Sequence, residues 1–138
     1  MQPYGCVRRL WLKTLTRPGK EELGMAVAMF MHWAGLTADQ YDTVMTKLEL
    51  DANPPAGGVL HLAVLTDEGL QVCDVWQTEQ AFHGYLEHRL MPVVEELGLL
   101  GKPEVSVVPL HNLYAQDSAM IDRIGAVSLP GAVASWTV

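Results

Sequence analysis

The sequence predicts an α+β fold: one antiparallel four-stranded sheet with two helices against one of its faces. Three observations predict it. Residues 59–65 and 70–76 are two apolar, strand-like runs joined by Thr66-Asp67-Glu68-Gly69, the pattern of a β-hairpin. Two longer stretches repeat apolar residues at helical spacing, and each begins with a capping residue. The order along the chain is strand, helix, strand, strand, helix, strand.

The first strand is the apolar run Met25 to Trp33, ended by Gly35. Thr37-Ala38-Asp39-Gln40 then forms a capping box, with the Thr37 side chain for the N3 amide and Gln40 reaching back. Tyr41, Val44, Met45 and Leu48 follow at i, i+3, i+4 and i+7, so the first helix ends near Glu49. Residues 51–58 are a loop by composition, with Pro54-Pro55 and Gly57-Gly58. After the hairpin, Thr78 caps a second helix whose apolar face carries Ala81, Phe82, Tyr85, Leu86, Leu90, Val93, Val94 and Leu97. Pro92 should kink or split that helix, and Gly98 should stop it. The last strand is Glu104 to Val108. This order is the split βαβ, or ferredoxin-like, arrangement. It leaves one sheet face without cover, and a second copy packed sheet to sheet is the simplest way to cover it.

At 138 residues, 49% hydrophobic and 18% charged, the chain is one ordered globular domain. The domain proper is read as 25–114. Residues 115–138 are a C-terminal extension. Residues 1–24 carry five of the nine basic residues, interrupted by Pro3, Pro18 and Gly19. They are read as a flexible basic arm, or as sequence ahead of a start at Met25. A net charge of −7 argues against nucleic acid as a partner. No apolar run is long enough to span a membrane, and the pair Arg8-Arg9 lacks the apolar stretch of an export signal. Of the two cysteines, Cys73 falls in a predicted buried strand, which suits a reduced thiol and a cytoplasmic setting.

The hairpin register makes the chemical prediction. With Leu65 and Leu70 flanking the turn, Ala63 pairs with Val72, His61 with Asp74, and Val59 with Trp76. Leu62 pairs with Cys73 and Leu60 with Val75. Cross-strand partners share a face. The second set is wholly apolar and is expected under the helices. His61, Asp74 and Trp76 are then expected on the opposite face, in a cavity shared by two copies. His61 is the candidate catalytic base, oriented by Asp74, and such a pair can take a proton from a phenol or an acidic C–H. Trp76 is the candidate wall for an aromatic or otherwise hydrophobic small ligand. His32, at the end of the first strand, and His111 with Asn112, after the last, are further candidate substrate-binding residues. His83 and Glu87 have a metal-compatible i, i+4 spacing without further ligands, so no metal site is expected. Arg89 reads as a surface-packing residue. There is no GxGxxG, Walker loop, Gly-x-Ser-x-Gly elbow or CxxC.

The junction Trp76-Gln77-Thr78-Glu79-Gln80-Ala81-Phe82 resembles the Trp-x-(Ser/Thr)-Glu-x-Ala-aromatic pattern of the antibiotic biosynthesis monooxygenase group, within the dimeric α/β-barrel superfamily. Pro109-Leu110-His111-Asn112 is similar to the ending of small, mostly uncharacterised actinobacterial proteins of that type. The resemblance implies a homodimer with a pocket in each subunit. It implies oxidation of polycyclic phenols to quinones with dioxygen and no metal or flavin cofactor. Trp76 matches the group's tryptophan. The group's asparagine, four residues earlier, falls at Val72, and its tyrosine, six residues later, at Phe82. His61 and Asp74 would therefore carry the acid–base work here.

Overall fold

Alternation along β1 (Val27–Ala34) decides where the core lies. Val27, Met29, Met31 and Trp33 are buried, whereas Phe30 and Ala34 point away and are exposed. The structure is a computed structural model that describes residues 25–125. The basic arm at 1–24 and the end of the C-terminal extension lie outside the described residues.

Thr37 begins α1 (Ala38–Leu48) with the predicted capping box, and its buried face is Val44, Met45 and Leu48. The hairpin is β2 (Gly58–Thr66) and β3 (Gly69–Trp76), joined by only Asp67 and Glu68. His61 pairs with Asp74, Leu62 with Cys73 and Ala63 with Val72, as the spacing predicts. One pair differs. Gly58, not Val59, lies opposite Trp76, because a register shift between Gly58 and Leu60 inserts a residue there. Gly69 is required at the turn. Its φ is +125°, and a Cβ there would stand 2.2 Å from the Trp33 carbonyl oxygen.

The second helical stretch is three pieces: α2 (Glu79–Tyr85), a π-helical turn over Leu86–Leu90, and α3 (Met91–Glu96). The Met91 amide donates to the Leu86 carbonyl, five residues back. Pro92 sits in the first turn of α3, where its missing N–H costs least. The widened turn thus absorbs the break expected from Pro92. Beyond β4 (Glu104–Pro109), α4 (Ser118–Ile124) is capped by Asp117 and buries no residue.

The sheet order is β2-β3-β1-β4, with all neighbours antiparallel. This is the ferredoxin-like order, and the helices cover one face. Phe82 and Met29 are the largest fully buried side chains, each stabilising by roughly 1.5–3 kcal/mol. They belong to one cluster with Val44, Met45, Leu70, Val72, Trp76 and Val94.

That cluster corrects the expected faces. Trp76 and Val72 pack under the helices, and Asp74 is paired with the core residue Met29. His61, Asp74 and Trp76 therefore lie on the helix-covered side. The apolar set with Leu62 and Cys73 lies on the open side. Burying an indole outweighs burying a leucine, and Asp74 is tolerated inside because donors meet it there.

Candidate functional site

The two edges of the site are set by local structure. At one, Gln77 N–H donates to the Gly57 carbonyl (2.8 Å) and Thr78 accepts the Ala81 amide (3.0 Å). This fixes the strand-to-helix junction, so the Trp76 indole lies 5.8 Å from Phe82 and 5.2 Å from Tyr85, centroid to centroid. At the other, the capping box aims the first turn of α1 over β2, bringing Tyr41 to His61.

Between these edges runs a chain of polar groups. The buried Asp74 carboxylate accepts from His61 Nδ1 at 2.7 Å through Oδ1, and from Trp76 Nε1 at 3.3 Å through Oδ2. His61 Nε2 lies 2.7 Å from the Tyr41 hydroxyl. In the neutral imidazole, Asp74 keeps the proton on Nδ1 and leaves Nε2 to accept from Tyr41. The His61 side chain is 30% exposed and Asp74 only 7%, so the pair has one wet and one dry end.

Burial and then the charge of Asp74 push the Tyr41 phenol up to about 12, with Asp42 adding to it. Tyr85 is pushed up in the same way, by burial first and Asp74 second, with Arg89 partly opposing. Both tyrosines stay protonated near neutral pH and can serve as donors. Arg89 donates to the Leu48 carbonyl (2.8 Å) at the end of α1, and its guanidinium stands 6.0 Å from the Tyr85 ring centroid. Half-exposed, it packs between the end of α1 and the Tyr85 ring.

Two hollows meet at this chain. An outer cleft of about 180 Å³ is lined by Pro54, Pro55, His61, Asp74, Trp76 and Tyr85, among others. An inner cavity of about 40 Å³ lies behind it, with Tyr41, His61, Asp74 and Tyr85 in its wall. His61, Asp74 and Tyr85 border both.

Of the predicted site residues, the structure brings together His61, Asp74 and Trp76. His32 lies across from Gln71 and Glu104 on the open face of the sheet. Its Nε2 is buried and has no hydrogen-bond partner among the described residues. His111 and Asn112 are exposed beyond β4 and line neither hollow. His83 pairs with Glu79 (3.4 Å), not Glu87. Among the described residues no group of three or more His, Cys, Asp or Glu could hold a metal ion, and no helix is long and apolar enough to cross a membrane. Tyr41 and Tyr85 were missed because each sits in an apolar helical stripe where a leucine would serve. The usable signal is that a buried tyrosine hydroxyl needs a partner.

The fold is ferredoxin-like. It is similar to that of a protein of unknown function from Nitrosomonas europaea, with a TM-score of 0.54, 19% identity, and coverage of 67% of this chain and 96% of that one. SnoaB, a cofactor-independent oxygenase from Streptomyces nogalater, gives a TM-score of 0.48 and 15% identity, covering 64% of this chain and 94% of that one. A monooxygenase from ActVA-Orf6 of Streptomyces coelicolor, solved with nanaomycin D, gives 0.41 and 15%, covering 71% and 97%. At these identities the likeness is one of fold, and the two lower scores carry no argument about chemistry. No protein-family model matches the chain, and no curated protein matches it.

Proposed function

We propose that this protein binds a small aromatic hydroxy compound and ionises it, as the opening step of cofactor-independent oxygenation or a related acid–base reaction. One observation carries the reading: the His61 imidazole is held by the buried Asp74 on one side and a phenol, Tyr41, on the other, at the floor of a cleft walled by Trp76. A phenol is thus the kind of group this nitrogen already accommodates. In the proposed step the substrate hydroxyl replaces that of Tyr41 at Nε2 and its proton moves to the ring. Asp74 then faces an imidazolium, which it stabilises. Tyr41 is not the base, because its own proton is held up to about 12. Trp76 and Tyr85 offer aromatic faces for the substrate ring.

The cleft limits the substrate. Its roughly 180 Å³ is below the about 300–1,000 Å³ of drug-sized sites, which favours one or two rings inside it over an extended polycycle. The same reading takes residues 25–114 as the working domain, in a cytoplasmic homodimer formed through the open sheet face. Support for the dimer is the apolar exposure there: Phe30 is 49% exposed, Leu62 56%, Val64 48% and Val108 43%.

The test is optical. The anion of 2-naphthol absorbs at longer wavelength than the neutral form. Mixed with the full chain near neutral pH, the proposed base yields bound naphtholate, and His61→Ala yields none while its circular dichroism is unchanged. Naphtholate persisting in that variant sinks the assignment of the base. Binding of neutral naphthol by the wild-type protein makes it a binding module instead.

A further inference from the structure

We infer that the open face of the sheet carries a second site, for a primary amine bearing an aromatic or other apolar group. Pairing across three strands puts Gln71, His32 and Glu104 in one row on that face. Phe30 and Ser106 belong to the next row, two residues along β1 and β4. These five side chains line an open hollow of about 400 Å³, within the roughly 300–1,000 Å³ of small-molecule sites. The hollow is on the face away from His61, so the inference does not rest on the proposed function.

The row holds polar groups that do not satisfy one another. His32 Nε2 is buried and has no partner among the described residues. Its cross-strand neighbour Glu104 forms no ion pair with it or with any other described residue. A buried nitrogen left unpaired is costly, and a ligand at the row would relieve it. The acceptors set what fits. Neighbouring strands stand about 4.7–4.9 Å apart, so the long side chains of Gln71 and Glu104 can lean over the imidazole from both sides. One ammonium group there has three N–H to give, and the row offers three acceptors: the Glu104 carboxylate, the Gln71 amide oxygen and an imidazole nitrogen. Half a turn of the ring exchanges nitrogen and carbon without changing its outline, so a nitrogen can be turned to the hollow. The carboxylate selects the charge: it draws a cation through charge-assisted bonds and repels an anion. A neutral alcohol brings one donor instead of three. A metal ion would find only two strong ligands, because no group of three or more His, Cys, Asp or Glu comes together among the described residues. Phe30, 49% exposed, supplies the apolar wall, and the face of its ring also attracts a cation.

The probe is 2-phenylethylamine, a cation near neutral pH, with 2-phenylethanol and phenylacetate as its neutral and anionic counterparts. Each is titrated into the isotopically labelled full chain, and amide and imidazole shifts are followed by NMR. The amine should saturate, moving Phe30, His32, Gln71 and Glu104. It should bind about tenfold or more tighter than the alcohol, the worth of one charged hydrogen bond. Phenylacetate should leave the row unmoved. Glu104→Gln changes an exposed residue and should erase the preference for the amine. Glu95→Gln, which removes an exposed carboxylate on α3, should keep it. Equal affinity for amine and alcohol overturns the site. So does a preference that survives Glu104→Gln, or one lost equally in Glu95→Gln, which would make it attraction to the acidic surface as a whole. A row that no probe moves, as when a second copy seals the face, overturns it as well.

Discussion

The two faces of the sheet make opposite use of their residues. Beneath the helices, a buried carboxylate accepts from a partly exposed imidazole and from the nitrogen of a buried indole. On the open side, Phe30, Leu62, Val64 and Val108 face outward with no helix over them. Polarity alone would assign the faces the other way round. What decides is the total each face can bury and whether its polar groups find partners. Asp74 meets two donors inside, so its burial is tolerated, and the large apolar surface of Trp76 comes with it. The open face keeps an apolar patch that a monomer gains nothing from exposing.

The sharpest way to break this contrast is to cut one large ring from each face. Phe82→Ala, under the helices, is expected to lose about 3–5 kcal/mol of stability in urea denaturation. Phe30→Ala, half exposed on the open side, should lose under about 1 kcal/mol in the monomer. Equal losses would mean that the open face is as packed as the core. Next comes Leu62→Glu, which puts a charge on the β2 side of the proposed dimer surface. Sedimentation should show a monomer with its circular dichroism intact. A dimer that survives this change does not use that face.

A change at Asp74 probes the buried side more finely. Asp74→Asn keeps the shape but removes the charge that holds the His61 proton. Naphthol ionisation should fall by about 10–10³-fold, the usual worth of an opposite charge within about 4–6 Å of the group that takes the proton. The cost in stability should be smaller, about 1–3 kcal/mol, from donors left poorly matched. A large stability loss with ionisation unchanged would make the pair structural. Gly69→Ala tests the turn that sets the register of both faces. With φ at +125° and the Trp33 carbonyl 2.2 Å from the new Cβ, it should cost roughly 1–3 kcal/mol, read as a lower urea midpoint.

Much of this was legible in the residues. The turn length and the alternation fixed His61 opposite Asp74, and the Thr37 and Thr78 caps marked both helix starts. The side of the sheet was not legible from the hairpin alone, because a strand pattern gives two faces and no sign for them. The sign lay in β1, where Met29, Met31 and Trp33 share parity with one another, and only pairing with β3 carries it to Asp74 and Trp76. Tyr41 stands 20 residues from His61, joined by α1 folding back over β2, a long-range contact that no local spacing encodes. The π-turn was half legible: Pro92 announces a break, but whether a helix kinks or widens there depends on packing.

The smallest effect concerns that unforeseen contact and appears only in alkali. The Tyr41 phenol is raised from 10.0 to about 12 by folding, chiefly through burial and then through Asp74. Its charged form is the deprotonated one, so between these values the unfolded chain has released the proton and the folded chain still holds it. The folded state then binds more protons, and stability must fall as pH rises. The contribution is complete below pH 10 and is lost on the way to about 12, with an upper limit of ~2.7 kcal/mol at about 1.36 kcal/mol per unit. Tyr41→Phe removes the titrating group. Below pH 10 the variant should be less stable by about 0.5–1.5 kcal/mol, one hydrogen bond to His61. Above pH 10 its stability should decline less steeply than that of the wild type, and the difference should shrink. Tyr85 is raised by burial and then by Asp74, and Tyr41 adds to it, so the comparison is made with Tyr85→Phe in both proteins. Urea midpoints at several pH values read the result, and parallel curves through this range would mean that the Tyr41 hydroxyl is not held against the polar chain in solution.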